Sequence, residues 1–175
     1  MIKRKSLEIV KVLKGEGLLG AEVGVFAGHN AINIIQNLKP KTLYLVDPYV
    51  AYNEYAVVDV EMSLEFAKQN AYNLTHTYNP RYIYKKFHEV TEEEIPEKLD
   101  FIYIDGCHTY EMLEKDFNKA LQFIKDDGII CGHDANIEEV RKFLEEVTLK
   151  GCKINFAENL HGEGRDWFYL VKGYL

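Results

Sequence analysis

Apolar runs alternate with helical patterns along most of the chain, and this alternation limits the possible folds more than any other feature. Five strand-like segments lie at 18–24, 42–47, 81–87, 99–105 and 126–134, and the last of them consists of a turn, a strand and two polar residues. Apolar residues recur at helical spacing between them, for example over 29–38 and 60–74. Strands that are buried on both faces and separated by helices form parallel sheets. We therefore predict an α/β, Rossmann-like fold with helices on both faces of a mostly parallel sheet.

The last two apolar segments break this alternation. CKINFA (152–157) and DWFYLVK (166–172) are separated by the polar stretch ENLHGEGR, which has no helical pattern. Two strands joined in this way form an antiparallel hairpin. We therefore predict seven strands, with an antiparallel C-terminal hairpin. The chain has 175 residues and no internal repeat, so we expect a single domain over 1–175 with an N-terminal helix within 1–16.

Charge and hydropathy exclude several classes of partner. The net charge is −7, and such a chain is poorly suited to neutralising the phosphates of a nucleic acid. No apolar run approaches the roughly 20 residues of a membrane span. The basic cluster at 3–5 is not followed by the apolar segment of a signal peptide, so we expect a cytoplasmic protein. The three cysteines are scattered and form no C-x-x-C pair, which argues against a disulfide framework or a zinc knuckle.

Polar residues follow four of the predicted strands, at the edge where ligands of such sheets bind. In parallel α/β sheets the ligand lies at the carboxyl ends of the strands. The residues placed there are Gly24, Gly28, Asp47, Asp105, His108, His133 and Asp134. Their convergence on one edge is a stronger signal than any single motif.

The first of these turns, EVGVFAGHN (22–30), departs from a dinucleotide-binding fingerprint. Phe26 stands where G-x-G-x-x-G has its second glycine, which disfavours a pyrophosphate. Glu22 would repel a phosphate but can receive an ammonium group. Asp47 lies where an acid accepts hydrogen bonds from ribose hydroxyls. S-adenosylmethionine has an amino acid end and no phosphate, so it fits both the missing second glycine and the acid at position 22. Alternatively, the glycines only make a tight turn and Asp47 caps an element.

Four segments together carry a family resemblance: EVGVFAGHN, LYLVDPY, FIYIDGCHTYEMLEKDF and DDGIICGHD. The chain resembles the class I S-adenosylmethionine-dependent methyltransferases over about 18–172, most closely the small bacterial group related to metal-dependent sugar and macrolide O-methyltransferases. The resemblance implies a Rossmann-like fold whose seventh strand is inserted antiparallel. It implies that the cofactor is bound by Glu22, Gly24, Gly28, Asp47 and Asp105, with His88 or Glu89 beside the adenine.

The acids after the fourth and fifth strands predict a metal site. Asp105 and Asp134 come from neighbouring strand ends, so their carboxylates can converge on a hard cation such as Mg²⁺. His133 adjoins Asp134 and would favour a softer ion such as Mn²⁺, or it does not ligate. The related catechol-type enzymes have an acid and an amide after the fifth strand. This chain has His133 and Asp134 there, which leaves the ligand set open.

A general base is predicted three residues after the fourth-strand acid. The related enzymes have a lysine there, and this chain has His108. Histidine titrates near neutral pH and could take a proton from an acceptor hydroxyl, with His133 as the alternative base. A structural interpretation is also open: His108 would precede a helix capped by Thr109, and Asp134 would cap a helix that starts near Asn136.

The segment after the second strand is long for its position. PYVAYNEYAVVD (48–59), where connections of 2 to 6 residues are typical, is predicted to form with the following helix a lid-like insertion over 48–79. Tyr49, Tyr52 and Tyr55 would stack on adenine or acceptor, or else pack on the domain. Exposed tyrosines would also permit a homodimer.

We expect an enzyme that transfers a methyl group from S-adenosylmethionine to a hydroxyl of a small molecule or sugar, assisted by Mg²⁺ or Mn²⁺. A nicotinamide-dependent oxidoreductase is the second hypothesis, and the missing second glycine disfavours it. A non-catalytic binding module on the same fold is the third. The identity of the acceptor is not encoded in the loop composition.

Overall fold

A seven-stranded sheet forms the centre of the computed structural model, which describes residues 4–50, 64–158 and 165–172. The strands are β1 (Leu19–Val23), β2 (Thr42–Val46), β3 (Arg81–Ile83), β4 (Leu99–Ile104), β5 (Ile124–Gly132), β6 (Ile154–Glu158) and β7 (Arg165–Leu170). Their order in the sheet is β3-β2-β1-β4-β5-β7-β6. The first five strands are parallel, and β7 runs antiparallel to both β5 and β6. The predicted α/β fold with an antiparallel C-terminal hairpin is confirmed.

Helices cover both faces of this sheet. They are α1 (Lys5–Lys14), α2 (His29–Leu38), α3 (Leu64–Thr75), α4 (Tyr110–Phe123) and α5 (Glu138–Leu149). One hydrophobic core lies under α4 and α5, and a second lies under α1 and α2. Residues 51–63, which hold most of the predicted lid, lie outside the described residues. None of the described helices is long and apolar enough to cross a membrane.

The strand register brings four turns to one edge of the sheet. Val23 at the end of β1 pairs with Val46 on one side and with Ile104 on the other. Ile104 in turn pairs with Gly132 at the end of β5. The polar residues that follow these strands therefore emerge at the same level, as predicted for a sheet of this class.

Two strand boundaries differ from the prediction. β3 ends at Ile83 rather than at 87, and the next side chains, Tyr84 and Lys85, are exposed. β3 is an edge strand and pairs only with β2. The last residue of β2, Val46, pairs with Ile83, so the hydrogen-bonded pairing ends there. β5 begins at Ile124, before the predicted turn, and its pairing with β4 contains a register shift between Leu99 and Phe101.

Candidate active site

Gly24 and Gly28 shape the turn after β1, and both need to be glycine. Their φ angles are +83° and +80°, a region that L side chains rarely adopt. A Cβ on Gly24 would lie 2.2 Å from the carbonyl oxygen of Asp105, and one on Gly28 would lie 2.6 Å from the Cα of Ala71. The turn is thus tight, as the structural alternative required. Because these two glycines carry no side chain, the backbone after β1 can also approach a ligand bound at the strand ends.

Asp47 holds this turn through backbone hydrogen bonds. Its Oδ2 accepts from the N–H groups of Val25 and Phe26 at 2.8 and 2.9 Å, and its Oδ1 accepts from Tyr49 N–H at 2.7 Å. Phe26 has a φ of +45°, so a left-handed conformation persists where the dinucleotide fingerprint has a glycine. The carboxylate offsets the strain of this residue by fixing its N–H. Asp47 therefore builds the turn and also lines the cleft beside it.

A cleft opens between the turns after β1, β2 and β4. Three predicted site residues line it: Gly24, Asp47 and Asp105. It is also lined by residues that the sequence analysis did not single out, including Phe26, Lys86, Phe87, Met112 and Asp116. Phe87 and Met112 resemble ordinary core residues in the sequence, and no sequence signal distinguishes them. A smaller hollow beside the cleft is lined by Gly24, His29, Asn30 and Asp105.

Glu22 lies beneath the glycine turn and is completely buried. The Nδ2 of Asn30 donates to its Oε1 at 2.9 Å, and its Oε2 has no hydrogen-bond partner among the described residues. Burial raises the pKa of Glu22 well above its usual value, although the bond from Asn30 opposes this. A cation beside the free oxygen would oppose this rise in the pKa of Glu22.

His88 does not line the cleft but pairs with a residue that does. Its Nδ1 lies 3.4 Å from Oδ1 of Asp116. Asp116 pairs with His88 and is buried, although it is a charged residue on a helix that packs at the surface of the sheet. Asp116 is only 5% exposed because it shares a helical stripe with Leu113 and Phe117. Burial raises the pKa of Asp116 to about 6, against the effect of His88. Adenine binding beside His88 or Glu89 stays a prediction.

Asp105, His108 and Asp134 form a charged cluster at the rim. One ligand atom from each lies within 4.8 Å of the others. Nε2 of His108 is 3.0 Å from Oδ2 of Asp134 and 4.0 Å from Oδ1 of Asp105. Burial lowers the pKa of His108, but its bonds to the two carboxylates outweigh this and raise it to about 10. The two carboxylates therefore favour the protonated, imidazolium form of His108.

His133 contacts the same cluster from the end of β5. Its Nδ1 lies 2.9 Å from Oδ1 of Asp134 and 3.9 Å from Oδ1 of Asp105, and its Nε2 lies 4.0 Å from the buried Asp166. Burial lowers the pKa of His133, and the bond to Asp134 more than offsets this. The structure thus brings together all four predicted cluster residues, and the group whose ligand atoms lie within 4.8 Å of one another contains His108 and not His133. Metal ligation by His133 stays a prediction.

The structural alternatives for this region have mixed outcomes. Thr109 is the N-cap of α4, and its Oγ1 accepts from Met112 N–H at 3.4 Å, so the predicted cap is confirmed. The proposed cap by Asp134 is wrong. Ile137 occupies the N-cap of α5 without a side-chain cap, and only the backbone carbonyl of Asp134 accepts from its N–H. The Asp134 side chain is instead held by the two histidines.

Of the three tyrosines assigned to the lid, the structure describes Tyr49, whereas Tyr52 and Tyr55 lie outside the described residues. The Tyr49 hydroxyl donates to the carbonyl of Phe26 at 3.0 Å. Its ring lies 6.1 Å from the ring of Tyr84, centroid to centroid. Tyr49 thus packs against the glycine turn and helps to hold its outer side.

Comparisons with known proteins agree with this architecture. A family model described as a methyltransferase domain matches residues 21–135. A solved rRNA methylase from Streptococcus thermophilus has a TM-score of 0.67 at 12% identity, covering 97% of this chain and 98% of its own. An O-methyltransferase from Bacillus cereus, solved in complex with SAH, has a TM-score of 0.64 at 15% identity, covering 97% and 82%. At these identities the solved structures show a shared fold.

A curated relative is an uncharacterized protein of Acanthamoeba polyphaga mimivirus, 24% identical over 126 residues. The match covers 72% of this chain but only 55% of the relative, so the chain spans about half the length of that protein. The strand order and the antiparallel C-terminal strands define the Rossmann-like methyltransferase fold. The chain belongs to the methyltransferase-domain family whose model covers more than half of it.

Proposed function

We propose that the protein transfers a methyl group from S-adenosylmethionine to a hydroxyl of a small molecule or sugar, with the help of a divalent cation. The observation that carries this proposal is the position of the charged cluster. Asp105 lines the cleft beside the glycine turn and also belongs to the group formed with His108 and Asp134. A ligand in the cleft and an acceptor at the cluster would therefore meet at one residue.

The cleft offers groups suited to each part of an S-adenosyl ligand. The apolar side chains of Phe87 and Met112 suit an adenine ring. Oδ1 of Asp47 accepts one backbone N–H and keeps a second acceptor site, which suits a ribose hydroxyl. Buried Glu22 suits the ammonium group. Two O-methyltransferases of the same fold, from Bacillus cereus and Streptomyces achromogenes, were solved with SAH and SAM.

The cluster offers donors suited to a divalent cation. Two carboxylates and an imidazole can bind Mg²⁺ or, more readily, Mn²⁺. When bound, such a cation would lower the pKa of an acceptor hydroxyl. We assign the ligand role to Asp105 and Asp134 and the base role to His108. The His108 imidazole can accept a proton near neutral pH only when the carboxylate charges that hold its pKa near 10 are offset.

Calorimetry with S-adenosylhomocysteine and with NADH tests the cofactor. We expect micromolar or tighter binding of S-adenosylhomocysteine and no binding of NADH, because Phe26 and Glu22 disfavour a pyrophosphate. Tight NADH binding would favour the oxidoreductase hypothesis. Binding of neither compound would favour a non-catalytic module.

Titration with Mn²⁺ alone, followed by electron paramagnetic resonance, tests the cluster. Asp105→Asn should weaken Mn²⁺ binding at least roughly tenfold, because it removes a carboxylate ligand. The exposed Asp126→Asn is the matched control and should change nothing. His108→Gln separates the two roles of the imidazole. Retained Mn²⁺ affinity supports the base, and lost affinity makes His108 a ligand and leaves His133 as the candidate base. Equal Mn²⁺ affinity in Asp105→Asn and the native protein would contradict the metal site.

A further inference from the structure

A further acid, Asp166 of β7, lies behind the charged cluster and is completely buried. Its Oδ2 accepts two hydrogen bonds from Ser6 in the first turn of α1, from the backbone N–H at 2.9 Å and from the hydroxyl at 2.7 Å. Its Oδ1 lies 4.0 Å from Nε2 of His133. The Asp166 carboxylate therefore connects α1 to a histidine that contacts the cluster.

The two nitrogens of the His133 ring lie near different acids. Nδ1 is 2.9 Å from Oδ1 of Asp134 and 3.9 Å from Oδ1 of Asp105, whereas Nε2 is on the side of Asp166. Rotation of the ring by half a turn about its Cβ–Cγ bond would exchange each nitrogen with a carbon atom. Buried carboxylate oxygens would then face C–H groups in place of nitrogens, which is unfavourable. Asp166 thus favours the ring orientation in which Nδ1 faces the cluster.

The residues on either side of Asp166 fix the backbone next to His133. The indole Nε1 of Trp167 donates to the carbonyl of His133 at 3.1 Å, and the carbonyl of Arg165 accepts from the N–H of Ala135 at 3.0 Å. These two backbone contacts do not involve the Asp166 side chain. Loss of its carboxylate should therefore change the orientation of the His133 ring rather than the path of the turn after β5.

We propose that Asp166 is a positioning residue, which holds the His133 ring so that Nδ1 faces the charged cluster. This inference rests on the proposed function, because that function makes Asp105 and Asp134 the ligands of a divalent cation. An acid behind a histidine orients the ring in many metal sites. In this orientation His133 either ligates the cation itself or donates to Asp134 and so fixes that ligand. In both cases Asp166 supports cation binding through His133.

A double-mutant cycle with Mn²⁺ alone, followed by electron paramagnetic resonance, tests this role. Asp166→Asn should weaken Mn²⁺ binding roughly tenfold, as the loss of an acid that supports a ligand does. In a His133→Gln background the same change should alter Mn²⁺ affinity less than about twofold, because the residue through which Asp166 acts is gone. An equal loss in both backgrounds would overturn the proposal, as would unchanged Mn²⁺ affinity in Asp166→Asn.

Asp100→Asn is the matched control. Asp100 is also a mostly buried acid that accepts a backbone N–H, that of Leu19 at 2.8 Å, but it lies at the opposite end of β4 from Asp105. The control should lose stability, as Asp166→Asn does, and keep the Mn²⁺ affinity of the native protein. A comparable loss of Mn²⁺ affinity in Asp100→Asn would show that the effect of Asp166 is only structural.

Nitrogen NMR of the histidine rings in the metal-free protein separates this inference from the metal site. Asp166→Asn should shift the ring signals of His133 and leave those of the exposed His76 unchanged. Unchanged His133 signals would contradict the positioning role. Absence of Mn²⁺ binding by the native protein would instead refute the proposed metal site, and the ring signals alone would then decide.

Ser6→Ala provides a second variant if Asp166→Asn does not fold. It removes one of the two hydrogen bonds to Oδ2 of Asp166 and keeps the carboxylate. We expect a smaller shift of the His133 ring signals in the same direction. A folded Ser6→Ala protein with native His133 signals would overturn the proposal.

Discussion

Asp47 and Asp134 occupy the same edge of the sheet, but they are held in opposite ways. Asp47 accepts three backbone N–H groups, from Val25, Phe26 and Tyr49. The described contacts of the Asp134 carboxylate are with two imidazoles, His108 at 3.0 Å and His133 at 2.9 Å. Burial opposes the charge of Asp134, yet the two histidines hold its pKa below the usual range.

This difference separates the proposed cofactor side of the site from the proposed acceptor side. On the proposed cofactor side, backbone hydrogen bonds and tightly packed glycines set the shape of the glycine turn. A ligand site at this turn therefore exists only when the turn is folded. On the proposed acceptor side, charged side chains hold one another. Changes on the cofactor side should therefore cost stability and binding together, whereas changes in the cluster should spare the fold.

The largest expected effect on the cofactor side comes from Gly24→Ala. A positive φ costs an L residue about 1–2 kcal/mol, and the added Cβ would overlap the backbone of Asp105, which cannot move aside as a side chain can. We expect a loss of at least about 3 kcal/mol in the free energy of unfolding, because overpacking adds roughly 1–3 kcal/mol. Urea unfolding measures this loss.

Gly17→Ala is the control for the backbone conformation alone. Gly17 has a similar φ of +73°, and nothing lies within 4 Å of its added Cβ. We expect a loss of about 1–2 kcal/mol, the conformational cost by itself. Equal losses for the two variants would mean that the close approach of β1 to Asp105 contributes nothing.

The parts of the fold that the sequence predicted are those set by local pattern. The helix predicted over 29–38 is α2 itself, because its apolar stripe and the preceding glycine are local signals. The strands with two neighbours were also found, since burial on both faces makes them continuous apolar runs. β3 was predicted too long because pairing at a sheet edge depends on its partner β2, which stops after three paired residues.

The candidate site was predictable to the extent that strand ends determine it. Asp47, Asp105 and Asp134 follow parallel strands and share an edge by topology. The burial of Asp116 was not predictable, because it depends on side chains from distant elements. The bonds that Asp47 makes to Val25 and Phe26 cross 22 and 21 residues, and no local pattern encodes them.

Asp47→Asn should produce an intermediate effect. Whichever way the amide is turned, its NH₂ group faces at least one of the three backbone donors, and the charge assistance is lost. We expect a loss of about 2 kcal/mol in stability and a roughly tenfold loss of S-adenosylhomocysteine affinity. Urea unfolding and calorimetry measure the two.

Asp126→Asn is again the control, since its ion pair with Lys172 is exposed and should contribute little. If Asp47→Asn loses affinity for S-adenosylhomocysteine but keeps its stability, the proposed link between the turn and the ligand is wrong. Asp47 would then act on the ligand directly, as Asp134 is proposed to act on a cation.

The smallest expected effect is a pH dependence at Asp116, a cleft carboxylate that is in contact with the His88 side chain. Burial raises its pKa from 3.8 to about 6, so the native state binds more protons than the unfolded state in that window. Stability should therefore fall as the pH rises, by about 1 kcal/mol between pH 5 and pH 6. Asp116→Asn should flatten this slope in urea unfolding, whereas Glu114→Gln on the same helix should keep it. Parallel slopes in all three proteins would show that the His88 contact fully offsets the burial of Asp116.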